Sequence, residues 1–261
     1  VCLMIAMSLS TTSVRLSHTF KQLLNWRPLV TIIILNYIIL TALILILGWL
    51  FDFSWYIWAG IVVMAAVPPA VAVIPFTELL KGDSELSVGA TTVLYIASLI
   101  LTPLIILLFL GADTDIWELV KALILMIIIP LFISRVLREY KTDEKLGDYK
   151  PAIINLAFAV LIFTVIGINR SVFFENIHLV IALIFISMMR TFAIGTIIFS
   201  LAQKAKIPRA RNVTYTLFAS YKNLGLAIVL AFGLFGAVAT IPATICIPFE
   251  ILTFIYLKKL I

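Results

Sequence analysis

The sequence predicts an all-α, polytopic membrane protein, arranged as an inverted repeat with two broken helices. Three observations carry this. Hydrophobic residues fill 63% of the 261 positions and charged residues only 12%, with a mean hydropathy of +1.19. Water-soluble domains hold roughly half apolar and about a quarter charged residues. The apolar residues come in runs long enough to cross a hydrocarbon core about 30 Å thick. Two of these runs carry residues that a membrane helix accommodates poorly: the pair Pro68–Pro69 in one and Lys222 in the other.

Taken in order, the opening run VCLMIAMSL is too short to span and lacks the basic stretch of a secretory signal. It reads as the second half of a membrane helix, so a chain trimmed at its front is the expectation. A polar, basic loop follows from Ser8 to Arg27. Full spans are then expected near 28–51, 55–80, 86–111, 116–137, 151–169, 177–201, 210–234 and 238–257. With the Ser8–Arg27 loop placed inside, the inner segments hold fifteen lysines and arginines and the outer segments two, Lys121 and Arg170. This strong positive-inside bias puts the C-terminus in the cytoplasm, and the inner or plasma membrane of a prokaryotic cell is the expected location. It also accounts for the net charge of +6 without nucleic acid, because the basic residues sit in short loops and not on one polar face. The sequon 212-NVT falls on the inner side and is discounted. Trp26, Trp49, Trp55 and Trp58 lie near span ends, as interfacial anchors do. Cys2 and Cys246 show no metal-ligand spacing, His18 and His178 fall in loops, and no nucleotide loop or nucleophile–base pattern is present. No cofactor, metal centre or enzyme chemistry is therefore expected.

Pro68 and Pro69, in 67-VPPAVAVIP-75, remove two helix donors and clash with the preceding turn. A break is expected there, with Pro75 bending the chain again. Lys222 lies eleven residues from Arg211, about 17 Å along a helix, close to the membrane midplane, with Asn223 and Gly225 beside it. Pro68 precedes Gly82 by 14 residues and Lys222 precedes Gly236 by 14. Four spans, an even number, separate the two interrupted helices, so they run in opposite directions. This is the pattern of secondary transporters whose broken helices meet at the midplane.

The run 67-VPPAVAVIPFTELLKGDSELSVGATTVLYIASLILTPL-104 resembles the fourth and fifth helices of the bile acid:sodium symporter family, through Gly82, Asp83, Leu86, Ser87, Thr91, Thr92 and Pro103. The run 217-LFASYKNLGLAIVLAF-232 is similar to that family's ninth helix, through Asn223, Gly225, Leu226 and Ala227. The resemblance implies ten helices in two inverted five-helix repeats, with a core domain of crossing broken helices beside a panel domain. Residues 1–138 would hold the rest of the first repeat and the first helix of the second. Residues 139–150 would be a solvated cytoplasmic linker and 151–261 the remainder, with core and panel interleaved along the chain. It further implies a small organic anion as transported partner beside the lipid bilayer, and leaves the oligomeric state open.

Several positions depart from the family pattern. Its Ser-Asn pair aligns with Val73 and Ile74, its ninth-helix glutamate with Phe218, and its glutamine with Lys222; Asn36 lies near a family glutamine but out of register. Most sodium ligands are thus missing. Lys222 is expected to stand in for sodium as a built-in cation or to carry a proton through the cycle. Its candidate acceptors are carbonyls at the breaks made by Pro68 and Pro69, with Asn223, Ser87 and Thr91; the last two are spaced i,i+4 on one face. A structural pair between Lys222 and Glu250 is the plainer alternative. Arg190 either contacts an anionic substrate or pairs with Glu250, and Glu78 is read as facing Lys81 or the cytoplasm. Two rival readings stay open: a sodium-coupled symporter with altered ligands, and a membrane receptor or assembly subunit that keeps the fold without transport.

Overall fold

The computed structural model describes residues 2–12, 26–111, 116–140, 145–147 and 149–261. Every regular element among them is helical. They are α1 (Cys2–Thr11), α2 (Trp26–Trp49), α3 (Trp55–Ala66), α4 (Val73–Leu79), α5 (Ser84–Leu110), α6 (116–139), α7 (Tyr149–Ile168), the short α8 (Arg170–Glu175), α9 (Ile177–Lys204), α10 (Arg209–Ser220), α11 (Leu224–Phe235) and α12 (Ala237–Leu260). Among the described residues, five spans are long and apolar enough to cross a membrane: α2, α5, α9, α10 with α11, and α12. The chain is an integral, multi-pass membrane protein.

The two broken helices are where they were expected. Helix α3 stops at Ala66 and the path resumes as α4 at Val73. Helix α10 stops at Ser220 and α11 starts at Leu224. Pro75 corrects one expectation. It sits in the first turn of α4, where its missing N–H is one of the orphan donors anyway, so it starts a helix and adds no bend. Helix α1 continues past Ser8 to Thr11, so the polar loop begins later than expected. His18 and most of that loop lie outside the described residues. Of the segment 139–150, residues 141–144 and 148 lie outside the described residues; α7 starts at Tyr149, and Lys150 Nζ donates to Thr12 Oγ1 at 2.7 Å, tying α7 to α1. Asn212 of the discounted sequon is buried in α10 and donates to the Phe199 carbonyl at 3.0 Å.

The broken helices form the centre. In the apolar window of α10–α11, 78% of residues are buried inside the protein, against 33–50% for the other four long spans. Residues Ile61 to Val67 are all fully buried, so the end of α3 is covered on every side, as befits a helix apolar all round. The pairs run antiparallel: α11 packs on α3, with Phe235 at its end against Trp55 at the start of α3, and α10 packs on α4, with Tyr221 against Phe76 and Thr214 bonded to Asp83. Around them stand α2, α5, α9 and α12, while α1 packs mainly on α6 and α7. The α3–α12 contact is close enough to require glycine. A Cβ at Gly60 would lie 2.0 Å from the Ala239 carbonyl oxygen.

Gly60→Ala should therefore lower the unfolding temperature in detergent, at a cost of about 1–3 kcal/mol from overpacking. Gly167→Ala, whose added Cβ meets nothing within 4 Å, should show no loss in the same assay.

Candidate functional site at the helix crossing

Each break frees backbone groups that hydrocarbon cannot satisfy. Pro69 has no N–H to offer the Ala65 carbonyl one turn earlier. Thr41 Oγ1 donates to that carbonyl at 2.9 Å, and Thr102 Oγ1 to the Ala66 carbonyl at 2.8 Å. Lys222 Nζ takes the Val67 carbonyl at 3.0 Å, and the Asn223 N–H takes that of Pro68 at 2.7 Å. The last two bonds come from the other break, so the interruptions in the two helices satisfy one another.

The second break is completed the same way. Asn36 Nδ2 donates to the Phe218 carbonyl at 2.8 Å and the Tyr221 carbonyl at 3.1 Å. The Lys222 N–H donates to Glu250 Oε1 at 3.1 Å, and the Tyr221 hydroxyl to the Glu250 backbone carbonyl at 2.9 Å. Asn223 Oδ1 accepts from the Leu226 N–H at 3.0 Å, which caps α11, and its Nδ2 donates to the Tyr95 hydroxyl at 2.6 Å. Asn36 lies on a π-helical stretch of α2, Ile34–Leu40, an over-wide turn of the kind found at functional positions.

The Lys222 side chain, fully buried, ends at the middle of this arrangement. Its Nζ donates to Asn36 Oδ1 at 3.1 Å, Thr41 Oγ1 at 3.1 Å and the Val67 carbonyl at 3.0 Å, and lies 4.7 Å from the centre of the Tyr37 ring. Both Asn36 amide protons are committed to carbonyls, which turns its oxygen towards the lysine. Three acceptors and an aromatic face thus meet a group with three donors, the pattern that a charged ammonium satisfies.

The sequence candidates divide. Pro68, Pro69, Lys222 and Asn223 meet at the crossing. Ser87 and Thr91 do not reach the ammonium: the Ser87 hydroxyl lies 3.2 Å from that of Thr77, and Thr91 Oγ1 is buried with no hydrogen-bond partner. Glu250 meets the backbone of Lys222 and not its ammonium; its ion pair is with Arg190 Nη2. Glu78 is exposed. Thr41, Tyr37 and Tyr95 were not anticipated, and Asn36 was passed over as out of register. Among the described residues no group of three or more His, Cys, Asp or Glu could hold a metal ion. The oxygens that a hard cation would need at the centre are already bonded to the ammonium.

Antiparallel broken helices that cross around a buried charge define the class of inverted-repeat membrane carriers. The sequence profile of the SBF-like CPA transporter family matches residues 3–257, and the chain belongs to that family. It is 23% identical over 197 residues to an uncharacterized protein, YbaS, of Bacillus subtilis, covering 73% of this chain and 64% of that protein. It is 24% identical over 179 residues to sodium/bile acid cotransporter 7 of Xenopus tropicalis and to form 7-B of Xenopus laevis, covering 65% of this chain and 52% of each. The matches thus span roughly half to two thirds of these relatives' lengths.

Two threonines at the core should behave oppositely. Thr41→Val strips a partner from both the Ala65 carbonyl and the ammonium, and should cost about 1–3 kcal/mol in detergent unfolding. Thr91→Val replaces a hydroxyl that has no partner, and should leave stability unchanged or raised.

Proposed function

We propose that this chain forms the crossing core of a secondary carrier that moves a small organic anion by alternating access, without the sodium sites of its relatives. The observation that supports this most is the placement of Lys222. A side-chain cation carried by the second break sits where the two breaks meet, and it engages three oxygens of the first repeat that an external ion would otherwise have to hold. Lys222 acts as the built-in cation: it keeps the crossing intact in every state of the cycle and makes sodium dispensable. The charge balance supports an anionic solute. Of the side chains joined to the breaks, Lys222 and Arg190 are positive and Glu250 is negative, which leaves one positive charge in excess. The bias of basic residues supports a cytoplasmic C-terminus in a prokaryotic inner or plasma membrane.

The test is uptake of labelled organic anions, cholate and benzoate among them, into proteoliposomes under separately imposed sodium and proton gradients. The protein is the full chain as it exists, wild type and Lys222→Gln. Wild-type flux should be saturable and indifferent to sodium. K222Q should lose most flux or acquire a sodium requirement, because the crossing then lacks a cation. Sodium-dependent flux in the wild type that K222Q leaves unaltered overturns the built-in cation. A proton requirement that K222Q removes identifies Lys222 as a proton carrier instead.

A further inference from the structure

Helices α9 and α12 run side by side and share three polar rungs. The Ser187 hydroxyl and the Cys246 thiol lie 2.8 Å apart, and the Thr196 and Tyr256 hydroxyls 2.9 Å apart. Between these rungs is the ion pair of Arg190 and Glu250. The middle rung differs from the other two. Arg190 is fully buried, yet only its Nη2 is engaged; Nε and Nη1 are buried and have no acceptor. Guanidinium groups carry five N–H donors and cannot shed their charge in a protein, so unspent donors at this depth cost free energy. The backbone is irregular on both sides of the rung: Arg190 lies on a π-helical turn, Met189–Ala193, and α12 carries Pro248 two residues before Glu250. The Glu250 side chain keeps 13% of its surface exposed, so the acidic half of the pair is the reachable one.

We propose that Arg190 receives the anionic head of the transported solute, a carboxylate or sulfonate, and that Glu250 is the resident carboxylate which the solute displaces. The inference rests on the carrier reading above and deepens it. The argument is geometric. A carboxylate grips a guanidinium with two parallel bonds along one of two edges, Nε with Nη2 or Nη1 with Nη2. Both edges include Nη2, the nitrogen that Glu250 occupies. Nη2 gives one N–H to each edge, so a solute forked onto the edge that Glu250 leaves open satisfies donors orphaned in the empty protein, and its charge, set against that of Glu250 on one guanidinium, drives the resident carboxylate off Nη2. Glu250 Oε1 retains its bond from the Lys222 N–H, so the displaced carboxylate stays attached to the second break while α12 loses its charged tie to α9. Occupancy of the solute site is thereby converted into release of one helix pair, with the crossing still held by Lys222.

The test is binding measured as ligand-dependent shift of the unfolding temperature of the full chain in nanodiscs. Benzoate and benzenesulfonate are the anionic probes, and benzyl alcohol and benzylammonium the controls. Wild type should be stabilised by the two anions only. Glu250→Gln should bind benzoate about tenfold or more tightly, since the internal competitor has lost its charge. Arg190→Gln should lose benzoate binding, and Arg190→Lys, which keeps the charge without the fork, should lose at least tenfold. The lysine variant serves if the glutamine variant does not fold. Weaker binding in E250Q, unchanged binding in R190K, or no anion-specific shift in wild type and E250Q alike overturns the proposal. The carrier reading fails on a different result, the absence of saturable anion flux. Flux that persists while R190K and E250Q bind as wild type sinks this inference alone.

Discussion

The structure depends on one ammonium group. Two helices that stop in mid-membrane leave carbonyls and N–H groups with no water to take them, at a cost of several kcal/mol each if left unpaired. Lys222 resolves part of this at the first break through its side chain, at the Val67 carbonyl, and part at the second through its N–H, at Glu250. The same side chain draws in Asn36 and Thr41 of α2. These two residues in turn satisfy the Phe218, Tyr221 and Ala65 carbonyls. Four chain segments are therefore fastened by contacts that share one residue. A charge so buried is tolerable only because every proton on it is matched and an aromatic face covers it.

What the sequence disclosed and what it concealed follow from range. Pro68 and Pro69 act on the backbone a turn away, so their consequence is local and readable. Lys222 announces itself by charge, since an ionisable group at mid-span is expensive wherever it points. Its partners carry no such mark. Asn36 is one amide in an apolar helix, 186 residues distant from Lys222 in sequence, and only the fold makes it a ligand. Thr41 looks like any hydroxyl that bonds back to its own helix. Ser87 and Thr91 show the opposite limit. Their i,i+4 spacing correctly marks an inward face, since both are buried, but spacing does not say what lies opposite, and for Ser87 it is Thr77. Pro75 was misread because a proline signals a helix start as readily as a bend, and the choice depends on where the preceding break ends.

The two cations buried among the described residues, Lys222 and Arg190, are of different kinds, and in the proposed carrier the difference matches the work asked of each position. At the crossing, three acceptors converge from different directions on a single point, from a side-chain amide, a hydroxyl and a carbonyl. A compact ammonium with three donors satisfies such a site, and a planar fork would leave some of its five donors unmet there. Between α9 and α12 a single carboxylate faces the cation. A guanidinium there keeps donors in reserve and offers a geometry that a second carboxylate can reproduce. A lysine fixed by three contacts suits a centre that must hold while the helices around it move. An arginine with one contact and unspent donors suits a partner that must be exchanged. That division of labour would allow a carrier to keep its broken helices together without a coupling metal ion and still change the contacts of α12 when a solute arrives.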